Sequence, residues 1–295
     1  MKRFVRSLRK RKARLVRHVE KAFYPPMRPA GVVLGTQKGG TTALFHYLSQ
    51  HPDVVPSLQK EIHFFNCDAH YEKGTDYYHS FFEAATPSRA SRITLDITPG
   101  YLMAGDLVAE RLARYNPDLK LLALLREPVS RAFSAWQMFR KMRSINPQWF
   151  DQWVHGYRLV GFENMQIRPV FGESFLDDVR FEIDVMDRGG VVDLPLIKHG
   201  LYFSCLLSYL QKFPFSQVQV ISSEEFRRDT RNSLHAIEAH FGISRHAWQS
   251  EQIRPHFEGG YSEPIPADAK QLLADYYRPF NQQLFSLLGR EFDWS

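Results

Sequence analysis

"GTQKGGTTAL", residues 35–44, follows the short apolar run Val32-Val33-Leu34 and opens a segment with helical character. A glycine-rich turn between a strand and a helix is a phosphate cradle, because backbone amides and the helix N-terminus converge on an anion. The nucleoside-triphosphate version reads Gly, four residues, Gly, Lys, then Ser or Thr. Gly35 and Gly40 have that spacing, but Thr41 stands where the lysine belongs, and the loop's own lysine, Lys38, lies inside it. Thr36, Gln37, Lys38, Gly39, Gly40, Thr41 and Thr42 are therefore the candidate phosphate-binding residues. The displaced lysine suits a ligand with one phosphate in the loop and a second group leaving from it.

Outward from this loop, strands and helices alternate. Strands are expected at Val32–Leu34, Ile93–Leu95, Leu121–Leu125 and Val218–Ile221. Helices are expected near residues 41–49, 107–115, 129–142, 201–213, 231–240 and 267–288. The run 121–125 is continuously apolar between Lys120 and Arg126, the pattern of a strand buried on both faces. Repeated strand–helix units imply an α/β fold, a central parallel sheet flanked by helices. Residues 143–195 are aromatic and irregular, with Trp149, Trp153, Tyr157 and Phe162 as candidate ligand-facing side chains.

The chain has 295 residues and a formal net charge of +6. Residues 1–23 hold ten Lys or Arg and one Glu, which leaves 28 basic against 31 acidic residues in the rest. The body is mildly acidic, which argues against a nucleic-acid-binding core. In the tail, Phe4, Leu8, Leu15, Val19 and Phe23 fall near one helical face, as in a basic amphipathic helix that lies on an anionic membrane surface. Pro25, Pro26 and Pro29 then mark a boundary, so the expected organisation is a tail over 1–28 and one domain over 29–295. Cys67 and Cys205 are too few for a disulfide framework, and the sequence lacks any run long and apolar enough for a transmembrane helix. A cytoplasmic setting is expected, with the tail read either as a helix on a membrane surface or as a solvated, poorly ordered arm. No H-E-x-x-H occurs, and His63, His70 and His79 have no metal-ligand spacing, so no metal is expected.

Two further stretches belong at the carboxyl ends of strands, where ligands bind in parallel sheets. In "LLALLREPVSRAFSAW", residues 121–136, Arg126 ends the central strand and Ser134 lies two turns into the next helix. In "QKEIHFFN", residues 59–66, Glu61 has the chemistry of a general base.

In this order, the stretches resemble the sulfotransferases that use 3′-phosphoadenosine 5′-phosphosulfate (PAPS), in the branch of the heparan sulfate sulfotransferases and their bacterial relatives. "GTQKGGTTAL" is similar to that family's 5′-phosphosulfate loop, "LLREPVSRAFSAW" to its 3′-phosphate motif, and "KEIHFF" to its catalytic segment. Residues 199–226 and 276–294 follow the family's pattern as well, so the likeness spans about 30–294. It implies a P-loop-like fold and sulfuryl transfer to a hydroxyl or amine of a carbohydrate, lipid or other small acceptor. Lys38 would stabilise the oxygen bridging phosphorus and sulfur, and Glu61 would take the acceptor's proton. Arg126 and Ser134 would hold the 3′-phosphate. Gly259, Gly260 and Tyr261 in "RPHFEGGYSEP", residues 254–264, would close over the nucleotide. In "LDITPGYL", residues 95–102, Ile97 stands where heparan-modifying members often carry a lysine, which speaks against a heparan-like acceptor. The rival reading is a P-loop kinase or NTPase, with Asp96 holding magnesium; it lacks the lysine after Gly40.

Overall fold

Leu121, Ala123 and Leu125 point into one apolar cluster, and Leu122 and Leu124 into another on the opposite side of the same strand. All five are fully buried. Burial of each leucine side chain contributes about 1.5–3 kcal/mol, so this short run is a large part of the sheet's stability. The computed structural model describes residues 15–148, 150, 165–168, 170–253 and 263–294.

The strands are β1 (Gly31–Gly35), β2 (Leu95–Ile97), β3 (Lys120–Leu125), β4 (Met165–Gln166), β5 (Val191–Val192) and β6 (Val218–Ser222). The central sheet has the order β2-β1-β3-β6, and every pairing is parallel; β4 and β5 form a small separate pair. The chain leaves β1 for β2 on one side and then returns to β3 on the other. The crevice between the carboxyl ends of β1 and β3 is thus a topological switch point, where ligands of open α/β sheets bind.

The main helices are α1 (Thr41–Leu48), α2 (Gly105–Tyr115), α3 (Pro128–Ile145), α4 (Phe175–Asp187), α5 (Tyr202–Leu210), α6 (Ser223–Arg228), α7 (Thr230–Phe241) and α8 (Ala267–Leu288). Helices α2 and α5 cover one face of the sheet through Val108, Leu112, Leu206 and Tyr209. Helices α1 and α7 cover the other through Leu44, Leu48, Leu234 and Ile237. A third cluster, with Phe133, Trp136, Phe175, Val179 and Leu273, joins α3, α4 and α8.

Two expectations need correction. The second strand runs from Leu95 to Ile97, not from Ile93; Ile93 makes only an isolated bridge to Val54. Residues 143–195 are not irregular throughout: α4 occupies 175–187, started by the Ser174 hydroxyl, which accepts from the Asp177 amide at 3.3 Å. Trp149, Trp153, Tyr157 and Phe162 lie outside the described residues. Residues 15–23 are helical, and the segment after them is packed on the body: Met27 N donates to Glu83 O at 2.8 Å and Ala85 N to Pro25 O at 2.8 Å.

Candidate active site

The loop after β1 is held from three sides. Thr36 N donates to Leu124 O on β3 at 2.8 Å, Arg126 Nη1 donates to Lys38 O at 3.2 Å, and Ser223 Oγ at the head of α6 donates to Gly39 O. Gly39 lies so close to β3 that a Cβ would collide with Leu124 O, and Gly40 caps α1 with φ +99°. Only glycine satisfies the first condition, and it satisfies the second without strain. The loop sits against the N-terminus of α1, the arrangement that receives a phosphate.

Arg126 is positioned by its neighbours. Glu127 caps α3, accepting from Val129 N at 2.8 Å and Ser130 N at 2.6 Å, with Pro128 in the first turn. Tyr202 OH donates to Arg126 O at 2.8 Å. The Arg126 Nε is buried without a protein acceptor, and so are Nε and Nη1 of the fully buried Arg131. Thr36 Oγ1 and Gln37 Oε1 in the loop are buried and unpartnered too. Buried guanidinium N–H groups without an acceptor are costly, and an anion bound here would satisfy them. Ser134 is 8% exposed on α3. Burial pulls the Lys38 ammonium down to about 8, and the charges of Arg126 and Arg131 add to the shift.

The candidate catalytic segment, residues 59–66, is fixed to the end of β2. Glu61 N donates to Ile97 O at 3.1 Å and Ile62 N to Thr98 Oγ1 at 3.1 Å. Phe64 N donates to Tyr101 OH at 3.1 Å. Both hydroxyls pass the load to one carboxylate: Thr98 Oγ1 donates to Asp96 Oδ1 at 2.6 Å and Tyr101 OH to Asp96 Oδ2 at 2.9 Å. Tyr78 OH adds a third donor at 3.0 Å. Asp96 is fully buried, which raises its carboxyl to about 6 despite these donors. With both oxygens engaged by hydroxyls, Asp96 is not placed as a magnesium carboxylate, and Thr41 opens α1 where a triphosphate loop needs its lysine. Both supports of the kinase reading are therefore missing.

Glu61 pairs with Lys60 and keeps 46% of its side chain exposed, so it is available to an incoming acceptor. His63, considered in the sequence only as a metal ligand, lies in the same segment. Its Nδ1 donates to the Asn66 amide oxygen at 3.3 Å, which leaves Nε2 as the lone-pair nitrogen. Burial lowers its affinity for a proton, and the Glu61 charge works in the opposite sense. A Cβ on Gly100 would crowd both Asn66 and the His63 ring. The pair Glu61-x-His63 before an Asn was the available signal. Among the described residues, the non-glycine residues in the left-handed region are Lys38 (φ 70°), Glu61 (φ 62°) and His63 (φ 53°). Strained backbone of this kind persists where surrounding structure over-determines it, and it clusters at active sites. Gly259, Gly260 and Tyr261 lie outside the described residues.

If the Asp96 network positions the catalytic segment, Asp96→Asn should destabilise the protein by about 1–3 kcal/mol, because one hydroxyl donor would face an amide N–H₂. It should also lower kcat by up to about 10², with nucleotide affinity nearly unchanged. The pH dependence has a definite sign. The folded-state carboxyl titrates at about 6 against an ordinary 3.8, so its contribution to stability is present below about pH 4 and lost as pH rises through 6. Asp96→Asn should remove that slope in pH-resolved denaturant melts. Unchanged turnover in a folded variant would show that the network does not hold the segment.

The sulfotransferase domain family matches residues 29–259. The chain is 27% identical over 289 residues to mouse heparan sulfate glucosamine 3-O-sulfotransferase 3B1, covering 90% of this chain and 65% of that protein. It is 24% identical over 318 residues to the membrane-associated sulfotransferase kil1 of Dictyostelium discoideum, covering 90% and 66%. The chain thus spans a little under two thirds of the length of these curated relatives. Among solved structures, a sulfotransferase from Alicyclobacillus acidocaldarius superposes with a TM-score of 0.67 at 25% identity, covering 90% of this chain and 97% of that one. A matching family domain over most of the chain, on this fold, makes the protein a member of the sulfotransferase domain family.

Proposed function

We propose that the protein transfers the sulfuryl group of PAPS to a hydroxyl or amine of a carbohydrate, lipid or other small acceptor, without a metal. The observation that carries the reading is the coincidence of Lys38 and Glu61, chosen by their chemistry, with the strained positions of the backbone beside the switch point. The donor supplies a sulfuryl group on a phosphate leaving group. Thr36 to Thr42 hold its 5′-phosphate through loop amides and hydroxyls, and Arg126 with Ser134 holds its 3′-phosphate. Glu61 takes the proton as the acceptor oxygen or nitrogen bonds to sulfur. Lys38 meets the negative charge that grows on the bridging oxygen as the S–O bond breaks. The products are the sulfated acceptor and adenosine 3′,5′-bisphosphate. Gly259, Gly260 and Tyr261 belong to this proposal by resemblance alone.

A carbohydrate hydroxyl is supported by the activity for which the heparan sulfate 3-O-sulfotransferases are named. Ile97 is 2% exposed within the core, so this position offers no cation to a polyanionic acceptor. A neutral or weakly charged glycan or lipid fits that better. Cys67 and Cys205 are both free thiols, consistent with a cytoplasmic placement, and the organisation proposed is a tail over 1–28 and a catalytic domain over 29–295. Among the described residues, no helix is long and apolar enough to cross a membrane.

The donor assignment is tested by calorimetry. Adenosine 3′,5′-bisphosphate should bind more tightly than AMP by roughly 1.5–3 kcal/mol, the worth of a charge-assisted bidentate contact. Arg126→Ala should erase most of that preference. Equal affinities for the two nucleotides in the unmodified protein would remove the 3′-phosphate site. A screen of glycan, lipid and phenolic acceptors with labelled PAPS would then identify the acceptor class.

A further inference from the structure

The helix over 15–23 is fastened to the body by its polar side. Arg17 pairs with Glu83 at 2.8 Å, Lys21 donates to Ser80 O at 2.7 Å, and Arg89 donates to Glu20 at 2.9 Å. At about 100° per residue, residues 17, 20 and 21 share one arc, and residues 15, 16, 19 and 23 share the opposite one. That opposite arc is apolar and faces out: Leu15 is 66% exposed, Val16 46%, Val19 49% and Phe23 77%. A surface helix of a globular protein ordinarily does the reverse and buries its apolar stripe. Upstream, "MKRFVRSLRKRKAR", residues 1–14, carries eight Lys or Arg and no acidic residue.

These features select one occupant. A second copy of the chain would bring the same cations against each other. An anionic bilayer offers the complement to both features, headgroups for the cations and an acyl boundary for the aliphatic and aromatic side chains. We propose that the helix over 15–23 docks the protein on an anionic lipid bilayer, with Leu15, Val19 and Phe23 entering the headgroup–acyl boundary. The segment to which the helix is fastened, 80–89, leads from the short helix Gly74–His79. Tyr78 of that helix stacks on Phe64 of the catalytic segment, ring centroids 4.7 Å apart. Docking would therefore set the orientation of the candidate site relative to the surface.

The test is co-sedimentation of the full chain with phosphatidylcholine vesicles containing about one-third phosphatidylserine, at low salt. The protein should pellet with these, stay in solution with pure phosphatidylcholine, and be released when salt shortens the Debye length to about 3 Å. V19E/F23E changes two exposed positions, so it should keep its melting temperature and nucleotide affinity yet lose vesicle partitioning by roughly tenfold or more. Three outcomes would overturn the proposal. The full chain could ignore anionic vesicles at low salt. V19E/F23E could partition as the parent does, which would leave the apolar face without a role. Light scattering could instead show a dimer that V19E/F23E dissolves, with no vesicle binding, which would assign the face to a second copy.

Discussion

Glu61→Gln should lower kcat by roughly 10²–10⁴, the usual worth of a positioned general base. The side chain keeps its shape and loses its basicity, so affinity for adenosine 3′,5′-bisphosphate should stay within about twofold. The backbone gives a reason to trust the separation. Glu61 is held at φ 62° by Ile97 O and by the Thr98 and Tyr101 hydroxyls on the following amides, none of which involves its own carboxylate. The substitution does release Lys60, its ion-pair partner, and that exposed pair is worth little to stability. Single-turnover rates with saturating donor, beside calorimetry with the product nucleotide, measure the two quantities apart. Near-normal turnover would move the base elsewhere, and His63 is the next candidate. Its burial favours the neutral ring, and its Nε2 carries the lone pair when Nδ1 donates to Asn66. His63→Asn would then carry the large loss in place of Glu61→Gln.

How much of this can be read from the sequence depends on where each signal resides. The central strand is legible because burial on both faces leaves an uninterrupted apolar run, and Leu121–Leu125 has one. The sequence places β2 two residues too early because Thr94 and Asp96 are buried polar residues around its start, which blurs the apolar pattern. Helix α4 escapes sequence reading for a related reason. Its inward face carries Asp178 and Glu182, which satisfy Trp136 Nε1 at 2.8 Å and the backbone amides of Leu196, Ile197 and Lys198. Arg168, itself buried, compensates both acids. Acids on the buried face break a 3.6-residue apolar period, and the partners that explain them include Trp136, 42 residues away, and the Leu196 amide, 14 residues away. The candidate site divides in the same way. Lys38 and Arg126 follow from loop and strand-end chemistry, and Glu61 from its type and place. His63 becomes meaningful only once the fold brings Gly100 and Asn66 to it. The kinase reading misassigns Asp96, because a lone acid on a strand does not reveal the three hydroxyls that enclose it.

Lys38→Met should lower kcat by roughly 10²–10³, since it removes a preorganised cation from the position of developing charge. Binding of the product nucleotide should weaken less, because the loop amides and Arg126 remain. The lysine also makes a pH signature that a neutral side chain cannot. In the free protein, burial first and the neighbouring Arg126 and Arg131 second bring Lys38 down to about 8. A bound phosphate places negative charge beside it and favours the protonated form. The complex therefore holds a proton that the free protein has lost above pH 8, and affinity must fall as pH rises past that point. The slope should approach one tenfold loss per pH unit, since a single proton is linked. Calorimetry at about pH 9 in two buffers of different ionisation enthalpy should report proton uptake on binding. In Lys38→Met the uptake should vanish and affinity should be level from about pH 7 to 9. In Lys38→Arg the charge persists throughout, so affinity should again be level, with turnover reduced by the altered reach of a guanidinium. An unmodified protein whose nucleotide affinity is the same at about pH 7 and about pH 9.5 would mean that Lys38 does not face the phosphate, and the reason for the loop's displaced lysine would have to be sought outside the leaving group.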